Sequence, residues 1–140
     1  MTGIQTFSVE TQSRDQMVEI TEQVYKTACR QIREGWCTVY VPHTTAGITI
    51  NENADPDVVH DMLKQLDTMV PWSQPFYQHG EGNSAAHVKA SMMGSSVTVL
   101  IADKRLKLGR WQGIYLCEFD GPRTRQVHVL AEKATEKPDT

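Results

Sequence analysis

Four of the chain's five histidines, His43, His60, His79 and His87, stand beside hydroxyl, amide and carboxylate side chains. His43 opens the run His43-Thr44-Thr45-Ala46-Gly47-Ile48-Thr49-Ile50-Asn51-Glu52, which sets polar groups around a short β-prone stretch. Burying so many polar groups beside an apolar core costs free energy unless each finds a partner. The run therefore points to a functional site rather than to a plain strand. His43 ends a strand pattern, His79 lies in a loop and His87 falls on the first turns of a short helix. Imidazoles from three such places can converge on one divalent ion and leave a position open for water or ligand. Their spacing matches no zinc signature such as His-Glu-x-x-His, and the competing reading is three separate histidines, each bonded to a backbone group. His60 is a reserve ligand, about 100° from Val59 on a helical wheel and so at the border of a buried stripe.

Glu52 and Glu81 are the acids nearest these histidines. Either suits a general base beside a metal-bound water, or an acceptor that fixes an imidazole tautomer. Glu81-Gly82-Asn83-Ser84 leads into a helix start, where free amides and the helix dipole favour an anion. Asn83 and Ser84 are thus candidate phosphate contacts, with ordinary helix capping as the competing reading. Lys89, within two turns, faces another side where it could pair with a different element, and is a third contact only if the fold turns it inward. Gly109-Arg110-Trp111-Gln112-Gly113 is the remaining polar cluster. Its glycines allow close backbone approach and project Trp111 and Gln112 to one place, where Trp111 could stack on a flat ring; the competing reading is a core tryptophan at a strand start. Arg110, Arg123 and Arg125 are further anion contacts in reserve. Nucleophilic catalysis has no support, since there is no Gly-x-Ser-x-Gly elbow and no cysteine in a motif that would lower its pKa.

The 140 residues fit one domain with a real core. A formal charge of −3, with no basic run interleaved with aromatics, argues against nucleic acid as a partner. Three cysteines without paired spacing (Cys29, Cys37, Cys117), and no apolar segment ahead of them, suit reduced, buried thiols in a cytoplasmic protein. No apolar run approaches the roughly 18 residues of a membrane span.

Gly3 to Val9 reads as a first strand. Asp15 is placed as the cap of a helix with Met17, Ile20, Val24, Ala28 and Ile32 on one stripe, ending near Gly35. Trp36 to Val41 and Gly47 to Asn51 read as strands whose short link makes a hairpin or bent ribbon. Asp55-Pro56 starts a helix buried through Val59, Met62, Leu63, Leu66 and Met69, which Pro71 ends. A short helix runs from Asn83 or Ser84 to Met93, stopped by Gly94. Strands follow over Ser95 to Ile101, Trp111 to Phe119 and Arg125 to Ala131, with a charged turn from Ala102 to Leu108. The expected fold is α+β: a mainly antiparallel sheet or sandwich with packed helices, in a single domain over residues 1–131, followed by a disordered tail over 132–140. The last three strands are expected to leave exposed edges, which self-association would cover.

Taken in order, the His43–Glu52 run, Asp55-Pro56 with His60-Asp61, Glu81-Gly82-Asn83 with Ala86-His87-Val88-Lys89, and Leu108-Gly109-Arg110-Trp111-Gln112-Gly113-Ile114 resemble the YjbQ-like family. The resemblance extends from about Phe7 to Leu130. It implies a small α+β homotrimer with a divalent metal, zinc, held at His43, His79 and His87. It also implies a secondary thiamine-phosphate synthase activity, which joins a pyrimidine pyrophosphate to a thiazole phosphate and releases pyrophosphate. The expected protein is accordingly a metal-binding enzyme acting on small phosphorylated metabolites. One alternative is a non-catalytic trimer that binds a metal or metabolite, and a third reading is hydrolysis by a zinc-bound hydroxide. A (β/α)₈ barrel, the dedicated scaffold for this chemistry, needs about 200 residues or more and is excluded by length.

Overall fold

The computed structural model describes residues 3–30 and 32–135. Two antiparallel sheets stack face to face, and a pair of helices covers the outer side of the smaller one. The larger sheet has the order β1 (Gln5–Glu10), β8 (Thr124–Lys133), β3 (Gly35–Tyr40), β5 (Ser96–Ala102), β6 (Arg105–Leu106). The smaller sheet has β7 (Gln112–Glu118) between β2 (Gln16–Glu19) and β4 (Ala46–Glu52). This is the α+β sandwich expected.

Alternation along β3, β5 and β8 sends Cys37, Val39, Val99, Ile101, Val127 and Val129 inward, where they meet Ile48, Ile114 and Leu116 of the smaller sheet. Val24 and Ala28 of α1 (Thr21–Ala28) belong to the same core. The other face of the smaller sheet presents Met17, Tyr115 and Cys117 to α2 (Pro56–Met69) and α3 (Ser84–Met93). Both faces of β7 are therefore buried, and six of its residues in a row, Gly113 to Glu118, lack exposure. A strand covered on both faces reads as a continuous apolar run rather than as an alternating one.

The chain from Asp15 to Ile32 is not one helix. Gln16–Glu19 forms β2, paired with β7 so that Met17 lies opposite Cys117. Only Thr21–Ala28 is helical, and Asp15 caps nothing: its carboxylate binds Arg14 and Lys89. The apolar stripe was real but divided, with Met17 in the outer core and Ile20, Val24, Ala28 and Ile32 in the inner one. Nor do β3 and β4 form a hairpin. Residues 41–45 carry the chain from one sheet to the other, and Val41 is tied to Ser95 on the way.

The start of α2 follows its sequence signal closely. The Asp55 carboxylate accepts from the Asp57 amide, with Pro56 in the first helical position. Of its expected buried stripe, Met69 is exposed. The charged turn contains a two-residue hairpin, in which Asp103 and Lys104 both have positive φ (52° and 59°) and bring β6 back against β5. This is the backbone twist that tight hairpins favour. Strand β8 continues through Glu132 and Lys133, two residues into the expected tail, while residues 136–140 lie outside the described part. The expectation of exposed edges among the last three strands is also corrected: β7 and β8 are interior, and the edges are β1, β6, β2 and β4.

Candidate functional site

One end of the sandwich gathers three chain segments around an open pocket of about 460 Å³. The crossing from β3 to β4 contributes Pro42, His43, Thr44 and Thr45. The loop before α3 and its first turns contribute His79, Glu81, Asn83 and His87, and the β7–β8 connection with the start of β8 contributes Asp120, Arg123 and Arg125. A neighbouring hollow shares His43, Thr44 and His87 and runs along α3 past Ala90 and Ser91.

The placement of α3 depends on Gly47. A Cβ there would lie 2.8 Å from both the Gly94 carbonyl oxygen and the Met93 Cβ, so glycine lets the end of α3 touch β4. The Ile48 amide then donates to the Gly94 carbonyl at 3.0 Å. At its other end α3 begins at Asn83, whose side chain makes no cap bond. Instead its amide nitrogen donates to Asp120 at 2.8 Å, and its buried oxygen has no protein partner. The loop into α3 turns at Gly82, with φ of 72° and its amide bonded to the His79 carbonyl.

His79 and His87 face each other edge to face, with ring centroids 5.5 Å apart. Two imidazoles that bind one ion at about 2.0–2.1 Å sit at this kind of separation. Glu81 stands in the same wall. His43 does not fit as a third ligand in the orientation it holds. Its Nε2 accepts the Gln126 backbone N–H at 2.8 Å, so in the neutral ring the proton must reside on Nδ1. A protonated nitrogen has no lone pair for a metal. Burial, with the nearby Arg125 guanidinium, holds His43 below the ordinary imidazole value, which favours this neutral form.

Behind the pocket lies a buried ion pair. Glu118, fully buried, accepts from Thr11 Oγ1 (2.7 Å), the Asp120 amide (3.0 Å) and two nitrogens of Arg125, Nε at 2.8 Å and Nη2. Arg125 Nη2 also donates to Thr45 Oγ1 at 2.8 Å. Burial alone would push Glu118 up, but the bonds from Arg125, Asp120 and Thr11 outweigh it and hold the carboxyl below its ordinary value. The neighbouring Arg123 is half exposed and bonds to Asp120 through its carbonyl (2.7 Å) and carboxylate (3.0 Å). Glu118 and Asp120 were not singled out from sequence. A glutamate within the apolar run Ile114 to Phe119 was the signal that a buried cation had to answer it.

Several expected site residues lie elsewhere. Lys89, 1% exposed, points away from the pocket and pairs with Asp15 (2.8 Å) and Asp67 (3.2 Å). Glu52 and Gln112 are paired at the far end of β4 and β7, six residue steps and about 20 Å from Ala46. Glu52 there accepts from the Asp55 amide, and Gln112 from the Gly109 amide. Trp111, 54% exposed, carries Arg110 over its ring. Ser84 is the first residue of α3 but is not in the pocket wall. His60 is exposed and bonded to Asp61, not turned into the site. The three polar clusters therefore do not form one site within a single chain. The cysteines are free and buried as expected, with burial pushing Cys37 up to about 11 and Cys117 to about 12.

The YugU protein of Bacillus subtilis, of the UPF0047 group, is 50% identical over 127 residues, which cover 90% of this chain and 96% of that one. A UPF0047 protein of Methanocaldococcus jannaschii is 46% identical over 124 residues, covering 88% and 89%. Among solved structures, a YjbQ/UPF0047 protein from Clostridium acetobutylicum superposes with a TM-score of 0.86 at 53% identity, covering 89% of this chain and 96% of its own. A YbjQ-like protein of unknown function from Sulfolobus solfataricus reaches 0.87 at 30% identity, covering 94% and 99%. The family model for UPF0047 protein YjbQ-like matches residues 5–133, and the chain belongs to that family.

Proposed function

We propose that the pocket is the site of a divalent-metal enzyme acting on small phosphorylated metabolites, with thiamine-phosphate synthase as a secondary activity. The observation that carries this reading is the His79–His87 pair, set in the same wall as Arg123 and the start of α3. Those two histidines would hold zinc, with Glu81 at hand as a further oxygen donor or as a base. When bound, such an ion neutralises charge on a departing diphosphate. The chain supplies the other donors. The first amides of α3 are free of side-chain capping and favour a phosphate oxygen. Arg123 keeps guanidinium hydrogens beyond those given to Asp120. Lys89 and Trp111 drop out as contacts within the same chain, so recognition of the pyrimidine rests on other groups.

The second reading is a non-catalytic trimer that binds a metal or metabolite, and the distance of Trp111 from the pocket favours it. The homotrimer belongs to both readings. It is supported by the outward face of the larger sheet, where Trp36, Tyr40 and Leu100 are exposed. Light scattering at micromolar concentration checks it, and a monomeric mass contradicts it.

Turnover decides between enzyme and binder. Protein from a host lacking the dedicated synthase should form thiamine phosphate slowly from the two phosphorylated precursors. His87→Ala, shown to be folded, should lower the rate by about 10²–10³. Equal rates for the variant and the wild type would assign the signal to a contaminant. Stabilisation by the precursors without product would favour the binder.

A further inference from the structure

We propose that His43 is the pocket's fixed hydrogen-bond donor to an anionic oxygen of the ligand, through Nδ1–H, and is not a ligand to the metal. The inference rests on the phosphorylated-metabolite reading of the pocket, but its core, the tautomer, stands on the fold alone.

The backbone determines the tautomer. Gln126 is the third residue of β8, and its amide donates to His43 Nε2 at 2.8 Å. A backbone N–H can only donate, so Nε2 must keep its lone pair and Nδ1 must carry the proton. Reversing this would leave a strand amide unpaired in a partly buried place, which costs more than the bond it forgoes. Nδ1–H has no acceptor among the described residues, while the ring lines the pocket. Thr45, two residues on, is held by Arg125, which is itself locked to Glu118. The ring is thus supported from β8 on one side and from a buried ion pair behind it.

A neutral donor is useful in this place. The wall already holds Arg123, and the first amides of α3 lie beside it. A fixed N–H adds one directed contact to a phosphate oxygen without adding charge. Oriented donors of this kind are the usual means of stabilising charge that grows on an oxygen.

The test is long-range ¹H–¹⁵N correlation spectroscopy of histidine-labelled full-length protein, which reads each ring's tautomer from its nitrogen shifts. Near neutral pH His43 should be the Nδ1–H tautomer, and saturating zinc should leave it so while the His79 and His87 nitrogens shift. An Nε2–H tautomer, or a zinc-induced shift at His43 Nδ1, would overturn the proposal. His43→Gln gives a second reading. It should keep wild-type zinc affinity within threefold but bind inorganic pyrophosphate about 10-fold more weakly. Unchanged pyrophosphate binding would remove the donor role. If wild-type protein binds no zinc, the metal reading fails, yet the tautomer still decides the assignment of His43.

Discussion

His79 and His87 meet edge to face with 5.5 Å between ring centres, although one lies in a loop and the other on the first turns of α3. Neither ring has a hydrogen-bond partner among the described residues, whereas His43, in the same wall, is committed to strand β8. The pocket therefore divides its imidazoles into a facing pair and a single fixed donor.

The buried ion pair holds up the pocket floor. Arg125→Met should leave Glu118 uncompensated and destabilise the protein by about 3–5 kcal/mol. Urea denaturation measures this, and a loss below about 1 kcal/mol would show that Glu118 is not confined as described. The double change Glu118→Gln with Arg125→Met should recover part of the loss.

Stability should fall in two stages as pH is lowered. His43 has a folded pKa below its ordinary 6.5, so the unfolded state binds its proton more readily. Its contribution is complete above that value and declines as pH falls through the folded value. Glu118, held below its ordinary 4.5, contributes fully above that pH and loses its contribution as pH falls through its own folded value. Relative to His43→Gln, the wild type should lose stability between pH 7 and pH 5. Parallel curves for the two proteins over that window would refute the His43 stage.

Lys89 is structural in this arrangement. Its ammonium joins α3 to Asp15 and Asp67, and Arg14 binds the same two acids while lying over Trp72 at 4.5 Å. Lys89→Met should reduce stability by about 1–3 kcal/mol and change zinc affinity less than threefold, as titration calorimetry well below the melting temperature would show. A large loss of pyrophosphate binding in the folded variant would return Lys89 to the site.

How far the sequence disclosed this arrangement differs from element to element. Asp55-Pro56 gave the start of α2 because capping is local, one carboxylate reaching an amide two residues on. Met17 misled because its spacing to Ile20 and Val24 also fits a helix. What decides against the helix is pairing with Cys117, a hundred residues away and invisible to a local pattern. His43, Glu81, Asn83 and His87 line one pocket, in keeping with polar groups beside glycine at element ends facing a cleft. Trp111 and Gln112 have the same composition, but there Gly109 serves a turn that Gln112 closes, and Gly113 lets β7 pack against Glu19 and Asn53. Composition alone cannot separate those two uses.

Gly47 should resist substitution. Its missing side chain lets Met93 and Gly94 close on β4, so Gly47→Ala should push α3 outward and cost about 1–3 kcal/mol through overpacking. Because α3 carries His87, zinc affinity should fall as well, even at temperatures where the variant is folded. Wild-type stability and affinity in Gly47→Ala would mean that α3 is not positioned by this contact.

The central claim is that His79 and His87 together hold a divalent ion, and the most direct test is metal content. Wild-type protein and the double variant His79→Ala/His87→Ala, both shown to be folded by circular dichroism, are loaded with zinc, dialysed and measured by elemental analysis. The account predicts about one zinc per wild-type chain and none in the variant. Equal retention by the two proteins, or a wild type that holds no zinc, would contradict it.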